Sequence, residues 1–233
     1  MRLHGWFAAL FALVSLSFVS TASAHVSVSS PGFAGQSQVL TFGVGHGCEG
    51  ADTIRIEVAI PAEVTSVRAI PSVFGDVEVK TDDSGAVTGV IWSKADARAK
   101  DELFYQLAIR AKLPDAPFTT VYFKAKQTCK AEDGKESVVD WAATAEEVAA
   151  AKMGEEPEPA PSVLILPVRA SGWNKYTVKD AVKDLSVFKD ALIVWSGDAA
   201  YSSNPTTMEL IKSEDGVTEL TEIKAGAEIW VKY

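Results

Sequence analysis

His25 follows Ala22-Ser23-Ala24, the small-x-small pattern that signal peptidase accepts, and cleavage there makes His25 the first residue of the mature chain. A terminal histidine offers two nitrogen donors from one residue, its free α-amine and the imidazole Nδ1, which together close a chelate ring around a metal ion. The amine titrates at about 7.7 to 8.0, so a metal displaces its proton near neutral pH. At equal geometry a nitrogen-rich site prefers Cu(II) to zinc. His46 is the second candidate ligand, in the run Gly45-His46-Gly47-Cys48. Its flanking glycines allow backbone conformations closed to other residues, so it reads either as a metal ligand or as a turn histidine. Cys48 and Cys129 are the two cysteines of the chain. In an exported protein such a pair reads first as one disulfide, with a thiolate copper site as the alternative.

The remaining chemistry is sparse. Apart from His4 in the leader, the histidines are His25 and His46, and the chain has no nucleophile elbow, no glycine-rich phosphate loop and no HExxH motif. With 22 Lys and Arg against 31 Asp and Glu, the formal net charge is −9, which argues against a nucleic-acid partner. Residues 1–24 read as a signal peptide: Arg2 and His4 precede an apolar run at 7–20, shorter than the roughly 20 residues of a membrane span. No second apolar stretch of spanning length follows, so the mature chain is expected to lack a transmembrane segment, and the protein to be periplasmic or secreted.

The elements that must position these residues are strands. Short β-rich segments at 39–44, 53–60, 64–70, 77–81, 87–92, 103–112, 119–127 and 138–141 alternate with turn signals such as Pro31-Gly32, Phe74-Gly75-Asp76 and Asp133-Gly134. This pattern predicts an all-β fold, an antiparallel β-sandwich of immunoglobulin or cupredoxin type over 25–143. Residues 144–161 read as a linker: a short helical stretch, then a Pro/Glu run (GEEPEPAP) that is extended and semi-rigid. Residues 162–233 read as a small β-rich C-terminal domain with Trp173, Trp195 and Trp230 in its core. Its GWN, VWSGDAAY and AGAEIWVKY segments resemble a small β module appended to secreted bacterial proteins, a resemblance that implies no chemistry.

Three segments in the same order, HVSVSSP at 25–31, VGHGCEGADTIRIEVAIP at 44–61 and TTVYFKAKQTCKAEDGKESVVDWAA at 119–143, resemble the YcnI-like (DUF1775) copper-binding domains. The resemblance implies a monohistidine brace, in which the terminal histidine, a glutamate and a nearby tryptophan surround Cu(II). It implies copper binding and delivery in the envelope, not catalysis, with copper and other envelope copper-handling proteins as partners. Carried over by position, His25 is the brace histidine and Trp141 the tryptophan. The glutamate falls at Glu102, with Asp101 beside it; in a strand their side chains point to opposite faces, so one of the two faces the metal.

Two features depart from the family pattern. Residues 69–76 lack the tryptophan of its P-x-P-x-x-G-W turn, and the C-terminal unit is not a membrane helix. If His46 joined His25, a two-histidine site would point instead to a copper-dependent oxidase of the polysaccharide-cleaving kind. A metal-free adhesive or scaffolding β protein is the third reading.

Overall fold

The computed structural model describes residues 25–29 and 31–233, so the signal-peptide reading of 1–24 lies outside the described residues. The chain opens with β1 (Val26–Val28), β2 (Gly32–Phe33), β3 (Ser37–Val44), β4 (Asp52–Ala59), β5 (Thr65–Ile70) and β6 (Asp76–Thr81). It continues through β7 (Val87–Ser93), β8 (Tyr105–Lys112), β9 (Thr120–Tyr122), β10 (Ala125–Lys130) and β11 (Glu136–Trp141). One sheet has the order β1-β3-β8-β5 and the other β11-β10-β4-β7-β6, with every pairing antiparallel. Alternation along each strand sends one set of side chains into the space between the sheets. Leu40 and Phe42 of β3 stand opposite Ile109 and Leu107 of β8, and all four are fully buried. Ile56, Val90, Trp92 and Phe123 fill the same core. Each such side chain contributes about 1.5–3 kcal/mol relative to an exposed one. The result is the expected antiparallel β-sandwich.

The expected single strand at 119–127 is broken in two. After Tyr122 the chain bends at Phe123 and Lys124, so that β9 leaves the large sheet and β10 joins it. The partner that draws β9 away lies beyond the linker. After α1 (Ala145–Ala150), which is closed by a Thr144/Glu147 capping box, the Pro/Glu run returns to the sandwich, where Ala143 bridges Pro159. Strand β12 (Ser162–Leu166) then pairs antiparallel with β9 and parallel with β2. The sequence reading begins the C-terminal unit at Ser162, whereas the structure makes β12 part of the sandwich wall. Val163 and Ile165 belong to the sandwich core, and Leu166 belongs to a second core.

That second core lies under a sheet formed by β13 (Trp173–Thr177), β14 (Ile193–Ser196), β15 (Ala199–Tyr201), β16 (Thr218–Glu219) and β17 (Glu228–Lys232), in the order β13-β17-β14-β15-β16. The helix α2 (Pro205–Ser213) is capped by the Asn204 side chain and begins on Pro205, whose missing N–H costs nothing at a first turn. Phe118, from the sandwich half of the chain, is buried in this core beside Val178 and Phe188. The three tryptophans do not fill it as expected. Ile229 and Val231 point inward and are fully buried, so Trp230 between them points outward and is 46% exposed; Trp173 is 50% exposed.

The shared strand makes a specific prediction. Trypsin should cut after the exposed Lys152, in the segment joining α1 to β12. The two fragments should nevertheless co-elute in native gel filtration and separate in denaturant. Separation in native buffer would show that β12 does not hold the two parts together.

Candidate functional site

His25 stands immediately before β1, which is held to β3 by the pairing of Val26 with Val44. It is exposed to solvent. Trp141 ends β11, opposite Ala125 of β10, and is 1% exposed. The fold brings these two residues, more than a hundred positions apart, together: their ring centroids are 5.5 Å apart with planes inclined at 39°.

Trp141 is fixed from behind. Its indole N–H donates to Gln127 Oε1 at 3.1 Å, while Gln127 Nε2 donates to the His46 carbonyl at 3.0 Å and to Thr53 Oγ1 at 2.8 Å. Gln127 is completely buried, and these bonds use its acceptor and both donors. Next to this network Cys48 and Cys129 form the disulfide, with Cα atoms 5.7 Å apart, and the Cys48 N–H donates to Cys129 Sγ. Both thiols are consumed, which removes the thiolate copper alternative. The loop closed by this bond, 81 residues in separation, is long enough for about 4 kcal/mol of stabilisation in the chain-entropy account.

His46 is half-buried, with its Nδ1 3.1 Å from the Gly47 carbonyl oxygen. Gly47 is required by space: a Cβ there would lie 1.7 Å from the Ala51 carbonyl oxygen. The Gly47 N–H donates to Asp101 Oδ2, and Asp101 Oδ1 is buried with no hydrogen-bond partner. Glu102 is exposed. The alternation invoked to separate these two carboxylates does not operate, because β8 begins at Tyr105 and residues 94–104 form a loop. In that loop Asp101 turns toward the Gly47 backbone.

The loop is anchored by Asp52, whose carboxylate is wholly buried. Oδ2 accepts from Lys94 Nζ at 2.6 Å and from the Arg98 N–H at 2.6 Å; Oδ1 accepts from the Tyr105 hydroxyl at 2.7 Å. Lys94 Nζ also lies 4.5 Å from the Tyr105 ring centroid and 5.3 Å from that of Phe74. Burial pushes the Asp52 carboxyl up, but the Arg98 N–H, the Lys94 ammonium and the Tyr105 hydroxyl together outweigh it and hold the group below the usual aspartate range. This buried cluster escapes sequence reasoning, because a lone Asp and a lone Lys 42 positions apart carry no spacing signal.

Among the described residues no three His, Cys, Asp or Glu side chains converge as a metal-binding group. No helix among them is long and apolar enough to cross a membrane. Asp101 Oδ1 is the one buried carboxylate oxygen without a hydrogen-bond partner among the described residues.

A family model described as a domain of unknown function (DUF1775) matches residues 25–165, and so reaches into β12. No curated protein matches the chain. Among solved structures, an uncharacterized protein from Nocardia farcinica with an immunoglobulin-like fold is 30% identical, with 62% of this chain and 99% of that one covered and a TM-score of 0.49. A cohesin module from a Clostridium perfringens family 33 glycoside hydrolase is 14% identical, with 62% and 96% covered and a TM-score of 0.35. A non-cellulosomal cohesin from Archaeoglobus fulgidus is 8% identical, with 61% and 92% covered and a TM-score of 0.35.

The Asp52 cluster predicts a pH dependence of stability. A carboxyl that ionises lower in the folded than in the unfolded chain stabilises fully above the unfolded value, about 3.9, and progressively less as pH falls through the folded value. Thermal unfolding between pH 6 and pH 2 should therefore show a loss of stability below about pH 4 that is smaller in Asp52→Asn. At neutral pH, Asp52→Ala should cost about 3–5 kcal/mol, because it leaves Lys94 facing a buried site without its counter-charge. An acid limb unchanged in Asp52→Asn would assign that limb to other carboxylates.

Proposed function

The chain belongs to the DUF1775 family, and from the approach of His25 to Trp141 we propose that its mature form binds Cu(II) outside the cytoplasm, as a carrier or buffer rather than an enzyme. The observation that carries this reading is the 5.5 Å ring contact at the start of the sandwich. Once the leader is removed between Ala24 and His25, the amine and imidazole of His25 supply the chelate. Copper is the cargo, and the chemistry it brings is that of a divalent ion seeking nitrogen donors.

The residues present fit such a cargo. His25 is exposed, so an incoming ion can exchange there without the fold opening. Trp141 cannot ligate through its N–H, which is a donor only and is committed to Gln127. Its ring instead packs against the imidazole and offers a π-face to positive charge. A carboxylate completes the charge balance. Resemblance assigns that role to Glu102; we favour Asp101, carried by the same loop, because its Oδ1 has no hydrogen-bond partner. An exposed chelate with one carboxylate suits reversible transfer better than permanent retention.

The test is Cu(II) titration by competition with a chelator of known affinity, on protein whose first residue is confirmed as His25 by mass. A Met-extended form and His25→Ala should each lose about two orders of magnitude in affinity or more, equivalent to roughly 2.7 kcal/mol. Gln127→Ala, which frees the indole without touching a donor of the chelate, should lose about tenfold. Asp101→Asn should weaken binding more than Glu102→Gln. Equal affinity in the Met-extended form would refute the reading. Oxygen consumption by the copper-loaded protein with a reductant, abolished in His46→Ala, would replace the carrier with an oxidase.

A further inference from the structure

The C-terminal sheet turns an aromatic face to solvent. In antiparallel pairs, directly opposed residues project from the same side of a sheet. Trp230 of β17 stands between Lys175 of β13 and Trp195 of β14; one step along, Lys232 stands between Trp173 and Ile193. Glu228 and Thr177 form the next pair on this side. Trp173 and Trp230 are half exposed, Trp195 is part-buried, and the opposite side of β17 carries the fully buried Ile229 and Val231. Lys175 Nζ lies 5.8 Å from the Trp230 ring centroid and 2.7 Å from Glu228 Oε1, and Lys232 Nζ lies 5.6 Å from the Trp173 ring.

From this face we propose that the C-terminal sheet is a binding platform for an uncharged polysaccharide chain. Two half-exposed indoles and the part-buried Trp195 on one side of a sheet form an aromatic surface of the kind that marks interaction sites. The face is a sheet surface rather than a cleft, and so suits an extended polymer better than a small molecule, which needs a concave site. The C–H faces of pyranose rings stack on indoles. Hydroxyl groups, each both donor and acceptor, match a rim that holds ammonium donors on Lys175 and Lys232 and acceptors on Glu228 and Thr177. The charges select among polymers. Lys175 and Glu228 neutralise each other, which leaves about one positive charge on the face of a protein whose net charge is −9. That balance offers little to a nucleic acid or an anionic lipid surface, whose attraction grows with the number of basic contacts. A protein partner is disfavoured because Lys and Glu, which alternate with the indoles here, are depleted from the cores of protein interfaces.

The experiment is native affinity electrophoresis of the full mature chain in gels containing hydroxyethyl cellulose, mixed-linkage β-glucan or xylan, with polygalacturonate and phosphatidylglycerol vesicles tested separately. At least one neutral glycan should retard the protein and perturb its tryptophan fluorescence. Trp230→Ala and Trp173→Ala should each weaken binding about tenfold or more. Lys232→Ala should weaken it less, and His25→Ala should leave it unchanged. Circular dichroism and Cu(II) affinity of the tryptophan variants report whether the fold survives; these side chains are half exposed, so both readouts should be preserved. No retardation by any neutral glycan, or retardation that persists in the double tryptophan variant, would overturn the proposal. Preferential binding to polygalacturonate or vesicles would also overturn it, as would a tryptophan-dependent dimer in sedimentation.

Discussion

An amide buried at the end of a β-sandwich has to find its hydrogen bonds inside the protein, and the side chain of Gln127 finds one for its carbonyl and one for each N–H. Leaving any of them unmade would cost about 1–3 kcal/mol. That requirement ties together three pieces of chain far apart in sequence: the end of β11 through Trp141, the start of β4 through Thr53, and the loop after β3 through the His46 carbonyl. The orientation of Trp141 follows from it. With its N–H drawn inward, the indole presents its ring to His25. The strand that carries Gln127 also carries Cys129, so the disulfide and the amide network reinforce the same loop from adjacent positions.

Two aspartates flank that loop, and their surroundings give them different work. Asp52 is surrounded by an ammonium, a phenol and a backbone N–H, and its oxygens are both engaged. Its function is to hold the 94–104 loop in place. Asp101, carried by that loop, satisfies one oxygen on the Gly47 N–H and leaves the other buried without a partner. A half-satisfied buried carboxylate is costly unless something positive approaches it. Asp52 thus fixes the loop, and the loop places Asp101 against the Gly47 N–H.

Much of this was legible in the residues. Alternation placed most strands of the sandwich, the cysteine pair announced its disulfide, and the resemblance brought His25 and Trp141 to each other's side. The failures have physical causes. A Pro/Glu run reports that a segment is extended and solvated, not where the chain goes afterwards, so the return of β12 to the sandwich was invisible. The run Val163-Leu164-Ile165-Leu166 has apolar residues on both faces, which is the mark of a strand buried on both sides. Alternation in Glu228-Ile229-Trp230-Val231-Lys232 already set Trp230 against Ile229 and Val231, and the expectation of a buried tryptophan followed residue type instead of register. Residues 101 and 102 precede β8, which begins at Tyr105, so strand alternation does not decide between the two carboxylates.

The same strand that blurs the boundary also joins the two parts of the molecule. Along β12, Val163 and Ile165 face the sandwich core, while Leu164 and Leu166 pack with the C-terminal core, so one strand is a wall of both. Phe118 crosses from one part into the other: its N–H donates to the Ile165 carbonyl, and its own carbonyl accepts from the Asp180 N–H. Asp180 returns the contact by accepting from the Thr120 N–H at 2.5 Å. A seam of buried apolar side chains and backbone hydrogen bonds resists hinge motion in a way that an exposed Pro/Glu linker does not. The GEEPEPAP run lies between β11 and β12, two strands that both contribute to the sandwich core.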